Sequence, residues 1–342
     1  MKRSILMICL AALALLKSDP LRAEEGEDTF ITRAAFAQGR LWILTYSGRL
    51  FSIGEHDHQS RLEKMDGEVR DFCVRDGRIM AAVGPRRGRG TWIIRGRANA
   101  GWAKLAAVPA RREGLIGLSC EAGTMILTTH RLIDVSTRTA RSLDLSDVLL
   151  PPQILAAFHA DRGHLVVGFN RGEWGGGLRR IDRLSGEIEV IHDADGGCSG
   201  LLDVNCHPVH SIQRVPWKPA CLIAAVGLVH FFPNGRLVEV CGKRIRLHYS
   251  RPVEIGAEEA GEAARGSEAF FGLVKSGESL WAAGTEGLYK LGDGRVETVP
   301  MPKFRRLDQF WVSFDIPELI VLVTRVNARA SVSGGAPMLV AR

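Results

Sequence analysis

Cys206, His207, His210 and His230 are the residues whose types and spacing could do chemistry in this sequence. Neutral imidazole and thiolate are good ligands for zinc or copper, so Cys206, His207 and His210 form a candidate cation set. Cys198 stands eight residues before Cys206, and an oxidised pair would close a short loop instead. A third reading leaves these side chains as unrelated surface groups. His207, His210 and His230 are also the candidate acid–base groups, a role that needs a carboxylate converging on the same substrate atom. Just upstream, Asp193, Asp195 and Gly196 resemble the start of a calcium loop. The twelfth position, where a bidentate glutamate would stand, is Val204. Asp193 and Asp195 remain as candidate ligand-binding carboxylates.

Trp174 is the candidate aromatic platform for a sugar or a peptide. It lies in Gly172-Glu173-Trp174-Gly175-Gly176-Gly177. This glycine run joins two strand-like segments, whereas a phosphate-cradling loop leads from a strand into a helix. The alternative for Trp174 is a hairpin residue packed on its neighbour. No Ser/His/Asp, Cys/His or nucleotide-binding signature stands in the context its chemistry needs.

The elements that must hold these residues are short and repeat. A β-rich run, a tight turn and a second run recur along the chain, as in Gly39-Arg40-Leu41-Trp42-Ile43-Leu44 leading to Gly48-Arg49-Leu50-Phe51. Equivalent positions are Leu41, Ile79, Met125, Leu165, Leu222, Leu280 and Ile320, at steps of 38, 46, 40, 57, 58 and 40. Such periods, with about four short strands each, predict an all-β, seven-bladed β-propeller of four-stranded antiparallel blades. A pair of β-sandwiches is the structural alternative, and the absence of a long helical period disfavours helical solenoids. Phe72–Val74, Leu115–Leu118 and Phe270–Val274 are expected as innermost strands. Leu105–Val108, Glu189–Ile191 and Leu237–Val240 are expected as outer ones. A segment around Glu27–Thr29 is expected to complete the last blade and close the ring. The two longest steps place insertions near 192–210 and 242–268. The second is expected as an acidic loop or a short surface helix, with Glu254, Glu258, Glu259, Glu262 and Glu268.

Two segments carry local resemblances. Ser279-Leu280-Trp281-Ala282-Ala283-Gly284-Thr285-Glu286-Gly287-Leu288-Tyr289-Lys290-Leu291 resembles the repeat of the periplasmic sensor propellers of two-component regulators. Val209-His210-Ser211-Ile212-Gln213, followed by Pro216-Trp217-Lys218-Pro219 and Leu222-Ile223-Ala224-Ala225-Val226-Gly227, is similar to repeats of the sialidase-like and sortilin-like propellers. Both imply blade structure and carry over no catalytic residue, and the aspartate box of the sialidase-like family is absent.

Lys2 and Arg3, an apolar run from Ile5 to Leu16 and a short polar stretch ending at Ala23 read as a signal peptide over 1–23. The remainder, 24–342, reads as a single propeller domain, exported to the periplasm or the cell exterior, with no transmembrane anchor once the signal is removed. Six cysteines then remain, an even number in an oxidising compartment. Loss of Lys2, Arg3, Lys17, Arg22 and Asp19 lowers the net charge from +7 to +4. Arg86, Arg87, Arg89, Arg95 and Arg97 then read as a solvated basic face, and no nucleic-acid partner is expected. The 38 glycines among 342 residues fit a chain rich in tight turns.

The function these features predict is a binding or scaffold module that recognises a protein, small molecule or saccharide through face loops. The alternative is a propeller-type lyase or hydrolase using the histidines, with a metal ion as the one cofactor the residues suggest.

Overall fold

The computed structural model describes residues 31–54, 60–85, 89–98, 101–136, 140–151, 156–193, 198–230, 233–254 and 265–300, and the strands Gln309–Ser313, Leu319–Arg325 and Pro337–Ala341. The expected signal segment, the closing segment near Glu27–Thr29, Arg86, Arg87, Asp195, Glu258, Glu259 and Glu262 lie outside the described residues.

The strands are short because glycine-bearing turns punctuate the apolar runs. At Gln38-Gly39 and Asp76-Gly77 both central residues have positive φ, 56° and 65° in the first and 50° and 71° in the second. That geometry matches the right-handed twist of a two-residue hairpin, so the flanking strands pair directly, Ala37 with Arg40 and Arg75 with Arg78. Along Thr91–Ala98 buried and exposed residues alternate, as in a strand packed on one face.

Among the described residues six antiparallel four-stranded blades result, spanning residues 31–62, 69–109, 115–144, 157–191, 209–249 and 270–300, each with its strands in chain order. The first strand of each blade is innermost. Ile31–Ala37, Val69–Arg75, Leu115–Ser119, Ala157–Ala160, Val209–Arg214 and Phe270–Ser276 pack side by side in that order. Gln309–Ser313 lies against both the last and the first of them. The chain is therefore an all-β propeller whose sheets surround a central channel.

Among the described residues the count of four-stranded blades is six rather than the expected seven. Ile320 belongs to the middle strand of a sheet with three strands, Gln309–Ser313, Leu319–Arg325 and Pro337–Ala341. The segment expected to add the fourth strand to that sheet, around Glu27–Thr29, lies outside the described residues. A second correction concerns Leu237–Val240. It lies in the third strand of the fifth blade, Pro233–Cys241, and the outer strand is Arg244–Tyr249. The second insertion is also neither plain loop nor helix at its ends, since Pro252–Glu254 pairs with Arg265–Ser267.

The core lies between adjacent blades. Trp92, Ile94, Leu118 and Ile126 fill the second interface, and Ile223, Phe270, Leu280 and Tyr289 fill the one between the fifth and sixth blades. At the channel wall Asp71 ties several blades together. Its carboxylate lies 2.8 Å from Arg33 Nε in an ion pair, and accepts from Arg33 Nη2 at 3.4 Å, from the Leu118 amide at 2.7 Å and from the Phe72 amide at 2.8 Å. Burial pushes the Asp71 carboxyl up, and the Arg33 guanidinium opposes that shift. Disulfides join Cys73 to Cys120 between blades, Cys198 to Cys206 within one loop and Cys221 to Cys241 across two paired strands.

Candidate functional site

In a blade of four antiparallel strands, the turn after the second strand and the connection to the next blade fall on the same face. The 169–177 turn, the 192–208 connection and the turn after Cys221–Val229 therefore share one face of the ring. The first two are fused through their backbones. Gly176 donates to Val204 O at 2.8 Å and Gly177 to His207 O at 2.9 Å, while Val209 donates to Phe169 O at 2.9 Å. Gly175, Gly176 and Gly177 all have positive φ. A Cβ on Gly175 would meet the Asn205 and Cys206 backbone, one on Gly176 the Phe169 carbonyl, and one on Gly177 the Val204 backbone. The glycine run thus serves close approach of two chains.

Above this base Gly172–Trp174 forms one 3-10 turn. Its amides are anchored, with Gly172 donating to Asn170 Oδ1 at 2.9 Å and Arg171 to Gly175 O at 2.9 Å. Trp174 is left 65% exposed, so its ring is not committed to packing on the next blade. Beside it Glu173 Oε2 lies 2.8 Å from His230 Nδ1, both side chains about half exposed. Arg179 donates to Gly176 O at 2.6 Å and stacks over the Phe169 ring. Burial and the neighbouring Arg171 lower its pKa from the usual guanidinium value.

His210 is the second residue of the innermost strand Val209–Arg214, where the pairing register shifts between Val209 and Ser211. A bulge re-aims the side chain it carries. Here it turns the imidazole to Gly227 O, to which Nε2 donates at 2.6 Å, and to Asn170, whose amide lies 3.3 Å from Nδ1. The edge of the ring meets Phe271, the residue at the corresponding register shift of the sixth blade. Burial brings the His210 pKa down to about 4. His207 is buried, accepts from the Asp203 amide at 2.9 Å and has Arg236 Nη2 at 3.4 Å from Nε2. Burial first, and then Arg236, lower its pKa.

Among the expected site residues, the structure therefore brings Trp174 and His230 onto one surface through Glu173. It sets His207 and His210 into the base below. His230 lies in the turn after Cys221–Val229. Cys206 is bonded to Cys198 and has no thiolate to offer a metal. Asp193 closes its own connection, its Oδ2 accepting from the Leu201 amide at 2.9 Å. Among the described residues the one group with cation-ligand spacing is Cys221, Glu239 and Cys241, whose two sulfurs are also joined. Of the basic cluster, Arg95 pairs with Asp66 at 2.7 Å and Arg97 lies over the Trp102 ring. Sequence reasoning missed Asn170, Glu173, Arg179 and Arg236. The first three flank Trp174 closely enough to have been found. Arg236 comes from another blade and left no local signal.

No protein-family model and no curated protein matches this sequence. Solved structures do match in fold. The extracellular domain of the hybrid two component system BT4673 of B. thetaiotaomicron is 15% identical with a TM-score of 0.55, covering 92% of this chain. The chain spans only 38% of that protein's length. YCF48 bound to D1 peptide is 11% identical with a TM-score of 0.58, covering 93% of this chain and 96% of that one. The Cps50 (Swd1) β-propeller domain of Myceliophteria thermophila is 12% identical with a TM-score of 0.53, covering 95% and 99%. Identities this low establish the propeller fold alone.

Proposed function

We propose that this chain is an exported binding module that captures a protein segment on the face carrying Trp174. The observation that carries the proposal is an exposed tryptophan on an anchored turn. Large aromatic rings bury much area at little entropic cost, and they dominate recognition surfaces when their backbone is already rigid. The Glu173–His230 pair beside it supplies a polar rim. Three disulfides accord with an oxidising compartment. Among the described residues no helix is long and apolar enough to cross a membrane. That a propeller of similar fold was solved with a peptide bound supports a peptide or protein partner over other ligands.

Selection of peptides from a displayed random library against the intact, disulfide-bonded protein tests this reading. Selected peptides should lose at least tenfold in affinity for Trp174→Ala, about 1.4 kcal/mol or more, while the variant's unfolding midpoint stays within error of the parent. Peptides that bind Trp174→Ala as well as the parent would remove this face from consideration.

A further inference from the structure

The turns after the first and third strands of a blade fall on the face opposite Trp174. Toward that face a cavity of about 180 Å³ opens between the third and fourth blades. Met125 and Leu132 lie in its wall, 1% and 4% exposed, and belong to the core between those blades. Leu184, in the turn after Leu178–Asp182, carries this apolar surface out to the solvent.

Three guanidiniums line the same cavity, those of Arg141, Arg162 and Arg183. Arg183 is fixed in place, with Nη1 donating to Asp161 O and Nη2 to Ala122 O at 3.1 Å. Its charge is offset by Asp134, whose Oδ2 lies 3.8 Å from Nη2 and whose Oδ1 accepts from the Ser136 amide. Arg141 and Arg162 have no such partner. Arg141 opens the outer strand of the third blade, and Arg162 stands in the turn after Ala157–Ala160, so they flank the cavity from its two blades. Both are exposed and make no hydrogen bond or ion pair among the described residues. The adjoining carboxylates do not neutralise them. Asp161 and Asp182 each accept from two backbone amides and are not part of the wall.

An apolar floor beneath an excess of guanidinium suits a carboxylate that carries an apolar body. Arginine meets a carboxylate with parallel N–H donors, and the body covers apolar surface that water would otherwise wet. The volume is close to that of a cavity of about 150 Å³ that holds benzene, which sets the size of the body. We propose that this cavity binds a small monocarboxylate with an apolar body of about six carbon atoms, its carboxylate held by Arg141 and Arg162 and its body against Met125 and Leu132.

Titration of the intact, disulfide-bonded protein with benzoate at pH 7.5, followed by calorimetry and by the methyl NMR shifts of Met125, Leu132 and Leu184, tests the site. Saturable binding that moves all three signals is expected. Benzamide, which lacks the charge, and acetate, which lacks the ring, should each bind at least tenfold more weakly. Arg141→Gln and Arg162→Gln should each weaken benzoate about threefold to tenfold, and the double variant at least tenfold, with the parent's unfolding midpoint kept. Arg244→Gln removes the same charge from the outer strand of the fifth blade and should leave the affinity unchanged. Absence of saturable binding, benzamide or acetate binding as tightly as benzoate, an unchanged affinity in the double variant, or an equal loss in Arg244→Gln would overturn the proposal. Any of these results leaves Trp174 recognition untouched, because the two sites lie toward opposite faces of the ring.

Discussion

His210 shows how one residue's surroundings set its behaviour. A lone histidine in a strand is ambiguous by sequence, since the same letter serves a catalytic base or a buried hydrogen-bonded group. Its bulge, the Gly227 carbonyl and the Asn170 amide decide for the neutral imidazole. Because its folded pKa of about 4 lies below the ordinary 6.5, the unfolded chain binds the extra proton first as the pH falls. The stability it contributes is full above pH 6.5 and is lost between there and pH 4, by up to about 3 kcal/mol. Urea unfolding across pH 4 to 7 should show this acid limb, and His210→Gln should flatten it. An NMR titration midpoint for His210 near 6.5 in the folded protein would contradict the account.

At the scale of elements, the second insertion departs most from expectation. The run ending in Glu268 reads as an acidic surface segment by composition, yet Glu268 is fully buried. Pairing of Pro252–Glu254 with Arg265–Ser267 carries it inward, to accept from the Tyr289 hydroxyl and from the Glu286 amide at 2.7 Å. Arg251 reaches Tyr289 at 2.8 Å. Burial raises both the Glu268 carboxyl and the Tyr289 hydroxyl from their usual values. Glu268→Ala should cost about 2–4 kcal/mol by stranding these donors, whereas Glu268→Gln, which keeps acceptors for them, should cost markedly less. Urea midpoints of the two variants measure the difference, and equal losses would show that the charge rather than the hydrogen bonding is needed. Composition could not reveal this, because burial of a glutamate depends on partners supplied from other strands.

Across the whole molecule, the architecture was legible and the partnerships between distant residues were not. Apolar runs such as Leu165-Val166-Val167 and turns such as Asp76-Gly77 are local, so they appear in the sequence as strands and hairpins. The inward position of Phe72–Val74 followed from order alone. The fate of Leu237–Val240 depended on a further strand, Arg244–Tyr249, whose mixed polar pattern is that of an exposed rim. The pairing of Cys73 with Cys120 is equally invisible locally, since it forms only when two blades dock. It closes a 47-residue loop, for which the chain-entropy argument gives about 4 kcal/mol. The Cys73→Ser/Cys120→Ser variant should therefore unfold at clearly lower urea. Loss of the Cys198–Cys206 pair, which closes only eight residues, should cost less, about 2.5 kcal/mol. Peptide mapping without reduction should return these pairs together with Cys221–Cys241.

The seating of Gly175, Gly176 and Gly177 against the Val204–Cys206 backbone has a consequence for how this protein can change. Three adjacent positions admit no side chain, so substitutions there are purged before their effect on any partner is felt. Arg171, Glu173 and Trp174 stand on the same turn and meet no such restriction. Variation is thereby channelled into a few outward letters of one short word, and the ring can acquire new specificities by single steps without renegotiating its fold. A randomised library confined to those three positions should keep nearly every member folded, where one spanning the glycines should not.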